Sequence, residues 1–348
     1  MPFPRPLRTM NLLSAHLRYT LASTCSKLAA ALLFCTTAHL ANAAGVSTTV
    51  VPAAGQDRAL EVLVWSPCAS APSDLRMGPY LVRATKDCPV LGRSLPLVVL
   101  SHGQGGTRLG HHDTATALAN AGFLVASFNH PGDTFGDDSL ASEVAIFESR
   151  PADVSRVITH MLEQWKDRQL VDAQSIGAFG FSRGGYTVLA LVGAEPSRTA
   201  SAQRLCGSWR SILIPICRKF GNDAITLKPR ADSRVRSIVA ADPLNLFGAS
   251  SLKAVRVPVQ LWASELGGDS VEMAHTQLIQ RWLPHPPEYH LARGAGHFVF
   301  LAPCPDEFRK EARRICEDPS GISRESLHES MNQAVVGFFS KTLRSGGK

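Results

Sequence analysis

The pentapeptide Gly-Phe-Ser-Arg-Gly at positions 180–184 constrains the fold of this chain more than any other segment. It ends an apolar stretch, 175–181, that is typical of a strand, and the segment that follows, 185–192, is typical of a helix. A serine between glycines at such a junction needs a sharp turn with strained backbone angles, which exposes the hydroxyl. The pattern therefore predicts that Ser182 is a nucleophile at the end of a buried strand.

Strand-like and helix-like segments alternate along most of the chain, which predicts parallel strands joined by helical crossovers. The predicted strands are 59–65, 95–100, 123–128, 175–181, 235–240, 257–262 and 288–291, and the predicted helices are 112–121, 151–165, 185–192, 271–282 and 324–343. Residues 95–100 are continuously apolar, as in a strand buried on both faces. The expected fold class is α/β, with a mostly parallel, doubly wound sheet and helices on both faces.

Two boundaries of this pattern can be stated in advance. The strand 59–65 is expected to end before Pro67, because proline cannot donate a hydrogen bond to a ladder. The segment 195–232 has little periodicity and is expected to be an insertion, either a small cap over the site or a plain surface excursion. We predict that 44–348 forms one catalytic domain, which includes this insertion.

The first 43 residues have the composition of a secretory signal peptide. They contain four basic residues and no acidic residue, and the apolar run 28–40 is followed by Ala-Asn-Ala at 41–43, which suits a signal peptidase. The alternatives are a buried helix or a membrane anchor, but a run of about 13 residues is shorter than the roughly 20 that span a bilayer. We predict a signal peptide over 1–43, export to the periplasm or the medium, and no stable membrane span.

The charge of the chain does not indicate a nucleic-acid partner. The formal net charge is +7, and removal of the four basic residues of the signal would leave +3. No basic run and no interleaving of basic and aromatic residues occurs in the sequence. We therefore expect no nucleic-acid binding.

The cysteines outside the predicted signal are even in number and lie in three local pairs. An exported chain meets an oxidising compartment, where such cysteines form disulfides. Free buried thiols are the alternative, whereas the absence of a C-x-x-C sequence disfavours a zinc or redox site. The simplest pairing joins neighbours along the chain: Cys68 with Cys88, Cys206 with Cys217, and Cys304 with Cys316.

A glycine-rich loop, 101–106, follows the apolar strand 95–100 and begins Ser-His-Gly-Gln. Loops of this kind present one backbone N–H to a developing oxyanion, and the residue after the nucleophile presents the other. The donors here would be the N–H groups of Gln104 and Arg183. A phosphate-binding loop is the alternative, but the sequence has neither G-K-[ST] nor G-x-G-x-x-G.

A general base must accept the serine proton, and a histidine with a pKa near neutrality suits that role. His297 lies in the small-residue segment Gly-Ala-Gly-His-Phe at 294–298, after the last predicted strand. The order nucleophile, acid, base along the chain is typical of this arrangement. Other histidines either precede the serine (His102, His111, His112, His130, His160) or lack a small-residue loop (His275, His285, His290, His328). His297 is the predicted base.

The residues alone leave the acid open among three carboxylates. Asp242 follows the strand 235–240, whereas Glu265 and Asp269 follow the strand 257–262. Two glycines before Asp269 would allow its loop to bend toward the histidine. Each carboxylate could instead cap a strand end or the helix that starts near residue 271.

Several segments together resemble the bacterial predicted dienelactone hydrolases of the α/β-hydrolase superfamily, which are similar to platelet-activating-factor acetylhydrolases. These segments are 96–106, 130–136, 150–153, the pentapeptide around Ser182, and 296–304. The resemblance covers nearly the whole chain after residue 43 and implies the α/β-hydrolase fold. In the acetylhydrolases the acid follows the earlier strand, which favours Asp242, with Asp269 as the alternative. Dienelactone hydrolases have a cysteine nucleophile, and this chain has Ser182.

The expected activity is hydrolysis of a carboxylic ester through an acyl-enzyme on Ser182, with no metal or organic cofactor. The expected substrate is a small-molecule or lipid-like ester. Other chemistry on the same fold stays open: a lipid acetylhydrolase, a polyester or phthalate esterase, a thioesterase or a haloperoxidase. A noncatalytic binding protein on this fold is a further alternative, but such proteins usually lack the serine or the histidine. The sequence does not indicate the oligomeric state.

Overall fold

The computed structural model describes Met1 and residues 43–206, 217 and 227–344. The strands are β1 (Ala43–Val51), β2 (Leu60–Cys68), β3 (Ser73–Met77), β4 (Tyr80–Lys86), β5 (Leu95–Ser101), β6 (Leu124–Phe128), β7 (Val171–Phe181), β8 (Val235–Ala241), β9 (Val259–Ser264) and β10 (Glu288–Ala292). The helices are α1 (His112–Asn120), α2 (Ile146–Glu163), α3 (Arg183–Leu191), α4 (Arg198–Cys206), α5 (Met273–Trp282), α6 (Asp306–Glu311), α7 (Arg313–Cys316) and α8 (Arg324–Arg344). Residues 2–42 of the predicted signal peptide lie outside this description, so that segment stays a prediction.

The strands form one ten-stranded sheet in the order β10-β9-β8-β7-β5-β6-β2-β1-β4-β3. The six strands from β10 to β6 are mutually parallel, and β2 runs antiparallel to both β6 and β1. Chain order reverses around β5, because β6 lies on one side of it and β7 on the other. The prediction of a mostly parallel, doubly wound sheet is confirmed.

Helices cover both faces of the sheet, and β5 shows why its sequence is continuously apolar. Leu97 and Val99 pack in the hydrophobic cluster that contains buried residues of α2 and α3. Val98 and Leu100 point the other way, into the cluster that contains buried residues of α1 and α8. Alternate residues of a strand face opposite sides of the sheet, so a strand between two helical layers needs apolar residues throughout.

Strand β2 continues through Pro67, whereas the sequence predicted that it ends earlier. β6 pairs with β2 only from Val62 to Trp65, so Pro67 lies beyond the doubly paired part of the strand. There the missing N–H of proline is not required by a second neighbour, and the Pro67 carbonyl accepts a hydrogen bond from the Leu91 N–H at 2.9 Å.

The sequence also did not predict β1 or the antiparallel pair β3 and β4, which extend the sheet beyond β2. Most residues of β3 are exposed, because this strand lies at the edge of the sheet. An exposed edge strand lacks the alternation of apolar and polar residues that marks a half-buried one.

The predicted cysteine pairing is confirmed. The structure contains disulfides between Cys68 and Cys88, between Cys206 and Cys217, and between Cys304 and Cys316. Sequence separations of 20, 11 and 12 residues make each bridge local in the chain. Within the described residues, no helix is both long enough and apolar enough to cross a membrane.

The predicted insertion over 195–232 is described only in part, since 207–216 and 218–226 lie outside the described residues. Its first portion is α4, and Arg204 of this helix donates hydrogen bonds to the carbonyl of Phe247 at 2.5 Å and to the side chain of Asn245 at 3.1 Å. These contacts hold α4 against the segment that follows β8. A role as a cap stays a prediction.

Helix α2 contains a proline that the sequence pattern places at its start. Pro151 lies in the helix interior, where it cannot donate to the carbonyl of Phe147. The Tyr186 hydroxyl of α3 donates to that carbonyl at 3.1 Å. Because another helix supplies a donor, α2 begins at Ile146 and passes through the proline.

We expect Tyr186→Phe to lower the free energy of unfolding by about 1–2 kcal/mol, because the buried Phe147 carbonyl loses this donor. In a Pro151→Ala background the same substitution should cost less, since the backbone N–H of an alanine at that position can donate to the same oxygen. Urea unfolding of the four proteins measures the difference. Equal costs in the two backgrounds would contradict this account of the helix.

Candidate functional site

Ser182 lies at the sharp turn between β7 and α3. Its backbone angles, φ 55° and ψ −117°, are strained for a residue with a side chain. The turn is held by hydrogen bonds from the Ser182 N–H to the Ala241 carbonyl at 2.9 Å and from the Leu244 N–H to the Ser182 carbonyl at 3.0 Å. Strand β8 and its continuation therefore hold the strained turn in place. This is the backbone geometry of a nucleophile elbow.

Glycines flank the elbow because the backbone has no room for a side chain. A Cβ atom added to Gly180 would lie 2.0 Å from the Gly184 carbonyl oxygen. A Cβ atom added to Gly184 would lie 1.9 Å from the carbonyl oxygen of Ser101, the last residue of β5. Both distances are far shorter than any real contact, so β5, β7 and α3 meet backbone to backbone at this point.

Asp242 and His297 form a buried pair next to the elbow. Asp242 follows β8, the sheet neighbour of β7, and its Oδ2 lies 2.7 Å from Nδ1 of His297. Ser264, the last residue of β9, donates its N–H to Asp242 Oδ1 at 3.1 Å and its Oγ–H to Oδ2 at 2.5 Å. Asp242 and the His297 ring are almost completely excluded from solvent. The carboxylate thus accepts three hydrogen bonds, and Nδ1 of His297 donates one of them.

The other nitrogen of His297 has no partner. Nε2 is buried and makes no hydrogen bond to any residue that the structure describes. The ring stacks on Phe181, which precedes the serine, with a centroid distance of 4.7 Å. The His297 N–H donates to the carbonyl of Gly267 at 2.8 Å, which holds the turn that carries the histidine. Orientation of Nδ1 by Asp242 leaves Nε2 as the nitrogen that can accept a proton.

The two alternative acids lie elsewhere. Asp269 is partly exposed, and its Oδ1 pairs with Nη1 of Arg314 at 3.2 Å. Glu265 accepts a hydrogen bond from the Gly294 N–H at 2.6 Å, so it ties the loop before His297 to the end of β9. Of the three carboxylates considered from the sequence, the structure brings Asp242 to the histidine.

The loop after β5 packs against Ser182. A Cβ atom added to Gly103 would lie 3.3 Å from Cβ of Ser182. The next residue is Gln104, and the residue after the serine, Arg183, is the first of α3. Neither the Gln104 N–H nor the Arg183 N–H donates to any part of the chain that the structure describes. Free N–H groups at a helix N-terminus and in an adjoining loop can bind negative charge.

The structure also contains a polar cluster, buried except for Gln104, that the sequence did not predict. We call it the Asp133 cluster; it comprises Ser101, His102, Gln104, His130, Asp133, Arg150, Asp153 and Arg183. Asp133 is fully buried and accepts hydrogen bonds from Nη1 of Arg150 at 2.7 Å and from Nη1 of Arg183 at 2.9 Å. Several members belong to segments that carry the resemblance, 130–136 and 150–153, but the sequence does not show that they meet.

Burial sets the protonation of this cluster. Burial, followed by the charge of Arg150, lowers the pKa of His102 and of His130 well below the ordinary value, so both rings are neutral at pH 7. Burial also raises the pKa of Asp153 to about 7, although Arg156 and Arg150 act in the opposite direction. Asp133, in contrast, pairs directly with the guanidinium groups of Arg150 and Arg183. Among the described residues, no group of three or more His, Cys, Asp or Glu side chains could hold a metal ion.

Comparisons with known proteins bear on the fold. The chain is similar to the structure of a ferulic acid esterase from Streptomyces cinnamoneus, with a TM-score of 0.59 and 18% identity over 90% of this chain and 93% of that chain. It is also similar to a dienelactone hydrolase from Anabaena variabilis ATCC 29413, with a TM-score of 0.47 and 16% identity over 86% and 98%. No protein-family model and no curated protein matches the sequence. The likeness to the esterase structure, with the strand order above, confirms the α/β-hydrolase fold.

We expect Asp153 to make the protein less stable as pH rises from about 4 to about 7. The unfolded carboxyl loses its proton at about pH 3.9, whereas the folded one keeps it until about 7. This component of the unfolding free energy therefore falls by up to about 1.4 kcal/mol per pH unit in that window. Asp153→Asn cannot ionise and should remove it.

Urea unfolding between pH 4 and 8 measures this effect. The matched control is Asp74→Asn, because the carboxylate of Asp74 in strand β3 is exposed. The pH dependence of its unfolding free energy should parallel that of the wild type. If the profile of Asp153→Asn also parallels the wild type, Asp153 is not the titrating group.

Proposed function

We propose that the protein is an exported carboxylic ester hydrolase that acts through an acyl-enzyme on Ser182. The observation that carries the proposal is the buried hydrogen bond of 2.7 Å between Asp242 and His297, beside a serine held at a strained strand-to-helix turn. A serine hydroxyl is a weak nucleophile until an oriented base accepts its proton.

In the proposed mechanism, Nε2 of His297 accepts the proton of Ser182 Oγ as the oxygen attacks the ester carbonyl. The tetrahedral intermediate places negative charge on the former carbonyl oxygen, where the N–H groups of Gln104 and Arg183 stabilise it. Collapse of the intermediate breaks the ester bond, and His297 gives its proton to the departing alcohol. Asp242 holds the imidazole in the required tautomer and stabilises the imidazolium.

Water completes the cycle. His297 removes a proton from a water molecule, whose oxygen attacks the acyl carbon of the acyl-serine. The second tetrahedral intermediate uses the same two N–H groups. Its collapse releases the carboxylic acid and returns the proton from His297 to Ser182 Oγ. These steps need no group beyond the side chains and backbone of this chain and one water molecule.

The substrate class follows from this chemistry and from the neighbouring structure. One structural neighbour is a ferulic acid esterase, which supports a small-molecule ester as substrate. We propose short-chain or lipid-like carboxylic esters, hydrolysed by the serine route rather than by the cysteine route of dienelactone hydrolases. Export is proposed from the signal-like segment 1–43 and agrees with three disulfides, which persist in oxidising compartments.

We expect Ser182→Ala and His297→Gln each to reduce kcat on p-nitrophenyl acetate by about 10⁴-fold or more, because each removes a member of one proton-transfer unit. The release of p-nitrophenol, followed by absorbance, measures the rate. The matched controls are Ser330→Ala and His285→Gln, which alter exposed residues outside the site and should retain wild-type rates. Full activity in Ser182→Ala would refute the proposed function.

The two candidate acids should differ sharply. We expect Asp242→Asn to lower kcat by about 10⁴-fold, because the amide favours the wrong tautomer of His297. Asp269→Asn should change kcat by less than about threefold, since its carboxylate pairs with Arg314 at the surface. Circular dichroism of both variants establishes that they are folded. A larger loss in Asp269→Asn than in Asp242→Asn would reverse the assignment.

A further inference from the structure

The two residues proposed to supply the N–H groups of the oxyanion hole are also joined through their side chains. Nη2 of Arg183 donates to Oε1 of Gln104 at 2.6 Å. Gln104 lies in the loop after β5, whereas Arg183 begins α3, so the two donors come from separate elements. This hydrogen bond spans the gap between them. Because Gln104 is exposed and Arg183 is buried, the arginine is the anchored partner.

Asp133 fixes both sides of that gap. Its Oδ2 accepts from Nη1 of Arg183 at 2.9 Å, and its Oδ1 accepts from the N–H of Gly105 at 3.3 Å. Gly105 is the residue next to Gln104. One fully buried carboxylate therefore holds the side chain of one donor residue and the backbone beside the other.

Arg150 also binds the loop after β5. Its Nη1 pairs with Asp133 at 2.7 Å, and its Nη2 donates to the carbonyl of His102 and, at 3.3 Å, to Oγ of Ser101. Arg150 is fully buried, so both ions of this pair have lost their hydration. Replacement of a buried ion pair by well-packed apolar residues often leaves stability unchanged or raised. The pair is therefore better explained by the positions that it imposes than by stability.

We propose that Asp133, together with Arg150, is a positioning residue for the oxyanion hole. Asp133 sets the separation of the Gln104 and Arg183 N–H groups, so that both donors are in place before substrate binds. The inference rests on the proposed function, because it concerns the same site. Asp133 does not touch the substrate; it acts through Arg183 and the loop. Preorganised donors stabilise the transition state more than the ground state. We therefore expect loss of Asp133 to lower kcat and to change KM little.

The first experiment compares Asp133→Asn with Asp318→Asn on p-nitrophenyl acetate. Asp318 also accepts from a buried arginine, Arg324 at 2.8 Å, but it lies outside the site. We expect Asp133→Asn to lower kcat by about 10- to 100-fold, because loss of one complete oxyanion donor costs about 10²–10³-fold. KM should stay within about threefold. Asp318→Asn should keep the wild-type kcat.

An inhibitor gives a readout that a general loss of structure would not produce. A trifluoromethyl ketone adds to a serine to form a tetrahedral adduct with a negative oxygen, which mimics the intermediate. We expect Asp133→Asn to raise the inhibition constant of this ketone by the same factor by which it lowers kcat. An unchanged inhibition constant, or a kcat equal to that of Asp318→Asn, would overturn the inference.

A second test does not depend on the folding of Asp133→Asn. Gln104→Met replaces an exposed amide, which accepts from Arg183, by an apolar side chain, and Arg183→Met leaves Asp133 with Arg150 as a neutral pair. If the link between the two side chains positions the donors, Gln104→Met should lower kcat about tenfold in the wild type. In the Arg183→Met background, which has already lost the link, it should have little further effect. Additive losses in the double variant would overturn the inference.

The controls separate this inference from the proposed function. Suppose that Ser182→Ala loses activity while Asp133→Asn keeps its kcat and the double variant shows additive losses. That result refutes the positioning role but still supports the proposed esterase function. Full activity in Ser182→Ala refutes both.

Discussion

The contact of strand β5 with the start of helix α3 is the constraint on which the rest of the site depends. The backbones approach so closely that a methyl group on Gly184 would overlap the Ser101 carbonyl. This approach allows the loop after β5 to lie over Ser182, and it forces Ser182 into backbone angles that few residues adopt. The hydrogen bond from the Ser182 N–H to the Ala241 carbonyl then ties the strained turn to the end of β8, and Asp242 directly follows that strand. Ser182, Asp242 and the loop after β5 are thus parts of one packed junction.

Two buried carboxylates serve this junction in different surroundings. Asp242 accepts hydrogen bonds from the neutral donors of Ser264 and from the ring of His297, which becomes positive for part of each cycle in the proposed mechanism. Asp133 lies between two guanidinium groups, which are charged at pH 7 although burial lowers the pKa of Arg150 to about 10 and also lowers the pKa of Arg183. The first environment tolerates a change of charge next to it, and the second resists any rearrangement.

Much of the fold could be predicted from the sequence, because the apolar run of β5, the pentapeptide around Ser182 and the neighbouring cysteines are each readable within a few residues. Contacts between distant segments leave no such pattern. The start of α2 was missed because the donor to its interior carbonyl is a hydroxyl on α3. Three carboxylates were compatible with the sequence, and the adjacency of β7 and β8 brings Asp242 to the histidine. The Asp133 cluster was not predicted, because its members belong to separate elements.

The pairing of consecutive cysteines has a consequence for how the protein is made. Under the proposed export, the chain would cross a membrane with its N-terminus first and present its thiols one after another. Each of the three bridges joins two consecutive bonded cysteines. Each bridge can close as soon as its second thiol emerges, without waiting for a distant segment. We expect early closure between neighbours along the chain to favour these pairs over pairings between distant cysteines.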